Sequence, residues 1–322
     1  VSRLAIVISA VGSVESLEST LVSVLENRPA DCEIVVVLNR PYADPYDLAA
    51  EVRFIQPAGS TVAGINRGLA STQAPFVHLL ASGCLVSEGW ADAALARFGD
   101  RRVASVVPLV WDADHDDRIV AAGVGYYRSG RRYLVGAGQS ALDPNAQPSI
   151  IGPCGIAAFY RKSAVDLAGG LSTRLDPRQA DVDLALVLKQ AGFSVAFEPK
   201  SSVRALAEAD PEVGGFRQAL CDERLFRRNL IGPAKSGAIL AHWCRVGLEV
   251  AGNIGRLRMF SLMAGRLVGC CEWGGHGRHH RAMTALSDRS VRAPAPGERV
   301  RIDGSHDAPA RKDAGRSRAQ AR

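Results

Sequence analysis

Two aspartates stand one residue apart in ADVDLALVLKQAG, Asp181 and Asp183, where a loop reads as passing into the first turn of a helix. A carboxylate in that place suits general-base work, taking a proton from a hydroxyl within hydrogen-bond reach. The plainer reading is a helix cap, because backbone N–H groups at a helix start favour negative charge. Residues 76–90, FVHLLASGCLVSEGW, pose the opposite question. An apolar run of strand type ends in Ala81, Ser82 and Gly83, although the carboxyl end of such a strand is where ligands bind in open α/β sheets. A third stretch, WDADHDDR, gathers Asp112, Asp114, His115, Asp116 and Asp117; it reads as a solvated acidic loop, with a cation or sugar contact as the alternative. His276, His279 and His280 in GGHGRHH have metal-ligand chemistry, but their Arg-bearing, low-complexity surroundings favour solvated side chains.

The elements that must position these groups follow from periodicity. LAIVISA is a continuous apolar run, and SVESLESTLVSVLENRP after it places Leu17, Leu21, Val24 and Leu25 at helical spacing. The same strand-then-helix order recurs in CEIVVVLNRP with DPYDLAAE, in VRFIQPA with STVAGINRGLASTQA, and in the 76–90 stretch with SEGWADAALARFGD. Repeated βα units imply a parallel sheet wrapped by helices. Shorter strand candidates follow in ASVVPLVW, RIVAAGVGYY and RRYLVGAG. IGPCGIAAFYRKSAVDLAGGL then reads as a strand entering a short helix, and ADVDLALVLKQAGFSVAFEP as a helix stopped at Gly192 before a strand.

From residue 216 to 271 the pattern is helical and cationic. Arg245, Glu249 and Arg256 lie near one face, with Ile239, Leu240, Trp243, Val246, Leu248 and Val250 over much of the rest. Such a helix either packs on the preceding domain or lies on a membrane surface. Beyond residue 287 the chain is Arg, Pro, Ala, Gly and Ser with few large apolar residues, the composition of a disordered tail. The expected organisation is therefore 1–205, 206–286 and 287–322.

GGL, ADVDL, AGF and FEP, in that order, together with INRGLAST in the third βα unit, resemble the family 2 glycosyltransferases over about residues 3 to 205. That resemblance implies a GT-A fold, α/β with a mostly parallel central sheet flanked by helices, here followed by a C-terminal helical extension. It implies sugar transfer from a nucleotide-sugar donor to a glycan or lipid-linked acceptor hydroxyl, with inversion, in glycan or cell-envelope synthesis. By position, Asp181 matches the family's catalytic base, and Asp183 a neighbouring acid. Asn39, Arg67, Ser82 and Asp183 fall where the donor would bind.

The departures are chemical. The family's fourth strand ends in Asp-x-Asp, whose carboxylates hold Mg²⁺ or Mn²⁺ against the diphosphate. Ala81 and Gly83 occupy those positions, Ala180 replaces a Glu, Leu38 stands where the second strand usually offers an Asp to the uracil or ribose, and Ser9 and Gly12 replace the Pro and Asn of the first loop. The expected set therefore includes no metal ligand and no certain cofactor beyond the nucleotide sugar. A transferase that balances the diphosphate with protein cations and N–H groups is the leading reading. A catalytically silent binding module on the same fold is the alternative. A nucleotidyltransferase is disfavoured, since AVGSVES is too poor in glycine for a phosphate loop.

Composition limits the rest. The 322 residues, 47% hydrophobic and 22% charged, suffice for one large domain or two modest ones. The net charge of +6 gathers late in the chain, and without an aromatic platform it gives no nucleic-acid site. Seven cysteines show no CxxC pair or repeated spacing, which speaks against a zinc site or a disulfide framework. With no apolar run of spanning length and no cleavage-site pattern at LAIVISA, the expectation is a cytoplasmic protein, with peripheral contact at the inner face of the membrane through 236–271 as a further expectation.

Overall fold

A computed structural model describes residues 2–56, 59–142, 149–206, 214–230, 235–254, 256 and 258–272. The 287–322 segment and the histidines at 276, 279 and 280 lie outside the described residues.

The first strand, β1 (Leu4–Ala10), is buried at every position, which is why its sequence is continuously apolar. It pairs in parallel with β2 (Cys32–Leu38) on one side and β4 (Phe76–Ala81) on the other, and β2 pairs in parallel with β3 (Val52–Ile55). Between these strands run α1 (Val14–Asn27) and α2 (Thr61–Ala70), each started by a serine, Ser13 or Ser60, whose hydroxyl accepts an N–H of the first turn. Gly68 lets α2 lie close on the sheet. A Cβ there would come within 2.8 Å of Val7 and 2.9 Å of Val37.

The second βα unit departs from the expected helix. Only a 3-10 turn, Leu48–Ala50, forms between β2 and β3. Pro41 and Pro45 interrupt the segment, and Asp44 and Asp47 adopt left-handed backbone with φ of 47° and 51°.

After β4 come β5 (Cys84–Val86), α3 (Trp90–Arg97), β6 (Val103–Asp112), β7 (Ile119–Ala121), β8 (Val124–Tyr126) and β9 (Arg132–Leu134). They are followed by β10 (Ala157–Arg161), α4 (Lys162–Ala168), α5 (Pro177–Gln190) and β11 (Ser194–Ala205). The main sheet runs β3-β2-β1-β4-β10-β6-β11-β5, with β7 beside β6, while β8 and β9 form a separate hairpin. The parallel block predicted from βα repeats ends at β4, because β10 enters antiparallel to both β4 and β6. Parallel pairing returns between β6 and β11, interrupted by a register shift between Glu198 and Ser202.

The C-terminal helices are α6 (Gly215–Arg228), α7 (Lys235–Ala251) and α8 (Arg258–Cys271). Helix α6 packs closely along α8: Gly265 and Gly269 face it so tightly that a Cβ at Gly265 would approach the Phe216 carbonyl to 2.3 Å. No helix among the described residues is long and apolar enough to cross a membrane.

Candidate active site

The Ala-Ser-Gly stretch forms the tight turn from β4 into β5. Gly83 takes φ of +85°, a conformation that a side chain would strain. Its N–H lies 3.1 Å from the Ser16 carbonyl and 2.9 Å from Thr20 Oγ1, while the Ser82 hydroxyl donates to the Val11 carbonyl. Ala81, Ser82 and Gly83 thus provide no side-chain carboxylate, and Ser82's hydroxyl is committed to the loop after β1. This donor set does not fit a divalent cation bridging a diphosphate.

Beside this turn, the carboxyl ends of β1 and β2 are closed by the segment after β2. Arg40 Nη2 donates to the Gly12 carbonyl at 2.6 Å, and Arg40, Pro41 and Tyr42 cover Ala10, Gly12 and Leu38. The void beneath measures about 10 Å³, room for about one water. Asn39 and Arg67 are exposed, Arg67 donating over 3.4 Å to the Gln56 carbonyl beyond β3.

Helix α5 starts earlier than the sequence pattern suggested, with Asp176 at its cap and Pro177 at its first position. Asp181 and Asp183 therefore sit in the second turn, beyond the first-turn N–H groups that motivated the capping reading. Both are buried. Asp181 is 1% exposed and forms an ion pair with Arg132, whose Nη2 lies 2.8 Å from Oδ2. The same oxygen accepts the Gly155 N–H at 3.0 Å. The next residue, Ile156, accepts the Ala81 N–H through its carbonyl at 2.8 Å. Asp181 is thus joined through two consecutive residues to the end of β4.

Asp183 is tied to the C-terminal helices. Arg228 reaches its two oxygens at 3.1 and 2.9 Å, and Asn229 Nδ2 donates to Oδ1 at 3.0 Å. Together with Ser82, it is a predicted donor contact whose polar atoms already serve other parts of the protein.

Two of the motifs meet through Asn66, the asparagine of INRGLAST, whose partner the sequence does not reveal. Asn66 donates from Nδ2 to the Leu171 carbonyl at 2.7 Å and accepts the Leu171 N–H at 2.9 Å. INRGLA on α2 thereby clamps the GGL segment that leads to α5. Arg132, Gly155 and Arg228 were not singled out. The doublet Arg131-Arg132 opening a strand candidate was the one local hint for the first of them.

A cavity of about 560 Å³ opens between the β8–β9 hairpin, the start of α5, and helices α6 and α7. Arg131, Arg132, Arg178 and Arg245 supply its cationic walls, with Gln179, Gln218, Asp222 and Glu249. Asp181 is not a wall residue, but its partner Arg132 is. The acidic loop at 112–117 lies apart from this cavity. Asp112 accepts the Asp114 N–H at 2.9 Å and faces His115, and Asp116 pairs with Arg204. No group of three or more metal-ligating side chains is assembled among the described residues.

No family model matches the chain, and no curated protein matches it. Among solved structures it is similar to GalNAc-T7 in complex with UDP, GalNAc and Mn²⁺, with a TM-score of 0.53 and 14% identity over 70% of this chain. It spans 47% of that chain's length. A mannosyltransferase, PcManGT from Pyrobaculum calidifontis, in complex with GDP-Man and Mn²⁺, superimposes with a TM-score of 0.48 and 13% identity, covering 88% of this chain and 86% of that one. The first likeness defines the class of architecture: this chain has a glycosyltransferase fold of GT-A type.

Proposed function

We propose that the chain is a glycosyltransferase of family 2 type that moves a sugar from a nucleotide-sugar donor to an acceptor hydroxyl, with inversion, in glycan or cell-envelope synthesis. The observation that carries this reading is Asp181, a buried carboxylate connected through Gly155 and Ile156 to the end of β4. In the proposed step the acceptor's O–H proton passes to Asp181 as its oxygen forms a bond to the anomeric carbon. The bond from that carbon to the diphosphate breaks on the opposite side, releasing the nucleoside diphosphate. For this, Arg132 must yield part of its hold on the carboxylate when the acceptor enters.

The structure of GalNAc-T7 carries UDP and Mn²⁺. A nucleotide donor is carried over to this chain, the metal is not, because Ala81 and Gly83 have no carboxylate to hold it. The leaving diphosphate would be balanced by protein cations, Arg40 at the mouth and Arg67 beyond β3, with Asn39 as a further donor contact. Ser82 and Asp183, also expected to bind the donor, would act by holding the turn and α5 in place. Donor entry requires the segment at residues 39–47 to swing off Gly12.

The domain of residues 1–205 would carry the donor and the base, and 206–286 would close the acceptor side. We place the protein in the cytoplasm, with peripheral contact at the inner face of the membrane through exposed Leu240, Trp243, Leu248, Phe260 and Leu267 on α7 and α8. A second reading, a silent binding module, is favoured by the closed β1–β2 end under Arg40. Titration with a panel of nucleotide sugars, followed by transfer or hydrolysis assays in EDTA, separates the two. Binding and turnover support the transferase; absence of any nucleotide-sugar binding favours the module.

A further inference from the structure

We infer that the arginine-lined cavity between the β8–β9 hairpin and helices α5, α6 and α7 is a binding site for a phosphate or diphosphate group carried on a hydroxyl-bearing molecule. Four arginines converge on it, and its two acids are already engaged. Arg266 Nη2, behind the wall, lies 2.8 Å from Glu249 and 3.3 Å from Asp222. Arg245, by contrast, approaches Glu249 no closer than 4.0 Å, and its buried Nε and Nη2 have no hydrogen-bond acceptor among the described residues. Buried guanidinium N–H groups without an acceptor are costly, and phosphate oxygens match their fork geometry.

The second observation comes from Gln179, which is 6% exposed and also lines the cavity. Its Nε2 donates to Asp222 Oδ1 at 3.1 Å, which orients the amide and leaves Oε1 without a donor. These three atoms are sealed from solvent, so an occupant that offers acceptors to Arg245 and a donor to Gln179 meets them after a small turn of either side chain. A phosphorylated molecule with a free hydroxyl does both. Arg132 belongs to both the cavity wall and the Asp181 pair. Where the transferase reading holds, the occupant is the acceptor, anchored by its phosphate with a hydroxyl near Asp181; the anion site itself does not depend on that reading. The volume, far larger than one phosphate, suits a drug-sized ligand. At the rim, Leu248 is 76% exposed, so an apolar tail has a place to lie.

The test is calorimetric titration of the full chain with inorganic pyrophosphate at low ionic strength, for the wild type, Arg245→Gln, Arg131→Gln and the remote surface control Arg101→Gln. Saturable binding is expected, weakened at least about tenfold by the first two substitutions and unchanged by the third. Because pyrophosphate also resembles a donor's diphosphate, the Arg245 and Arg131 variants decide which site is read. Arg131 is exposed, so its variant is expected to fold even if Arg245→Gln does not. Vesicles containing phosphatidic acid form the second arm. Capture that pyrophosphate competes away assigns the phosphate to a lipid, and pyrophosphate binding without capture assigns it to a soluble molecule. Absence of saturable pyrophosphate binding, or equal binding by folded Arg131→Gln and wild type, overturns the proposal. Pyrophosphate binding without nucleotide-sugar binding leaves the cavity standing and removes the transferase; transfer activity with pyrophosphate binding unchanged by Arg131→Gln does the reverse.

Discussion

Arg132 and Asp181 meet as a buried ion pair, Nη2 to Oδ2 at 2.8 Å, joining the β8–β9 hairpin to helix α5. The pair places one carboxylate both at a cavity wall's edge and, through Gly155, beside the turn that ends β4. An ion pair so placed has two separable consequences, one for stability and one for chemistry.

Asp181→Asn should lower turnover by about 10² to 10⁴ while donor affinity stays nearly constant. It should also destabilise the fold by about 3–5 kcal/mol, since Arg132 is left buried against a neutral amide. The double variant Asp181→Asn with Arg132→Gln should recover much of that stability and none of the turnover, as measured by denaturant unfolding beside steady-state rates. Asp183→Asn, which weakens the hold of Arg228 and Asn229, should act through stability.

Activity should survive EDTA, because the turn at Ala81, Ser82 and Gly83 has no carboxylate to hold Mg²⁺ or Mn²⁺. Transfer rates measured after chelation and again after adding back Mn²⁺ should agree within error. A rate that vanishes and returns with metal would direct attention to Asp112 and Asp114.

Asn66→Ala removes both bonds to the Leu171 backbone and leaves its N–H and carbonyl without their partner. A loss of about 1–3 kcal/mol is expected. Asn66→Asp keeps the acceptor but sets a carboxylate oxygen against the Leu171 carbonyl, so it should be no more stable than the alanine variant in urea unfolding.

Two acid-sensitive limbs should appear in a stability–pH profile. Burial on the central strand β4, partly opposed by the hydrogen bond to the Ala158 carbonyl, lowers His78 from 6.5 to about 3. The folded protein then binds fewer protons than the unfolded chain between those values, so stability falls as pH drops from about 6.5 toward 3. His78→Phe, which can keep the stack on Phe159, should flatten that limb.

Glu223 forms the second limb. Burial works against its ionisation, but hydrogen bonding and attraction from His242, with hydrogen bonds from Arg227 and Cys270, outweigh it and lower the carboxyl from 4.5 to about 2. Its contribution is present above about pH 4.5 and is lost as pH falls toward 2. Glu223→Gln should remove this limb and leave that of His78, in thermal melts across pH 2 to 7.

What the sequence determined by itself was local. Strands buried on both faces are read as unbroken apolar runs, helices as residues at helical spacing after a serine cap, and the chemistry of the β4 end as three residues without a carboxylate. The order of GGL, ADVDL, AGF and FEP also pointed to the fold. Tertiary structure decided what those residues touch. Asn66 and Leu171 are 105 positions apart, and Arg132 and Asp181 are 49 apart, distances over which periodicity carries no information. The antiparallel entry of β10 beside β4 was hidden for the same reason, since a short apolar strand reads alike in either direction. Whether a buried aspartate is a cap, an ion-pair partner or a base depends on which cation and which N–H are folded against it, and that is fixed by packing between elements distant in the chain.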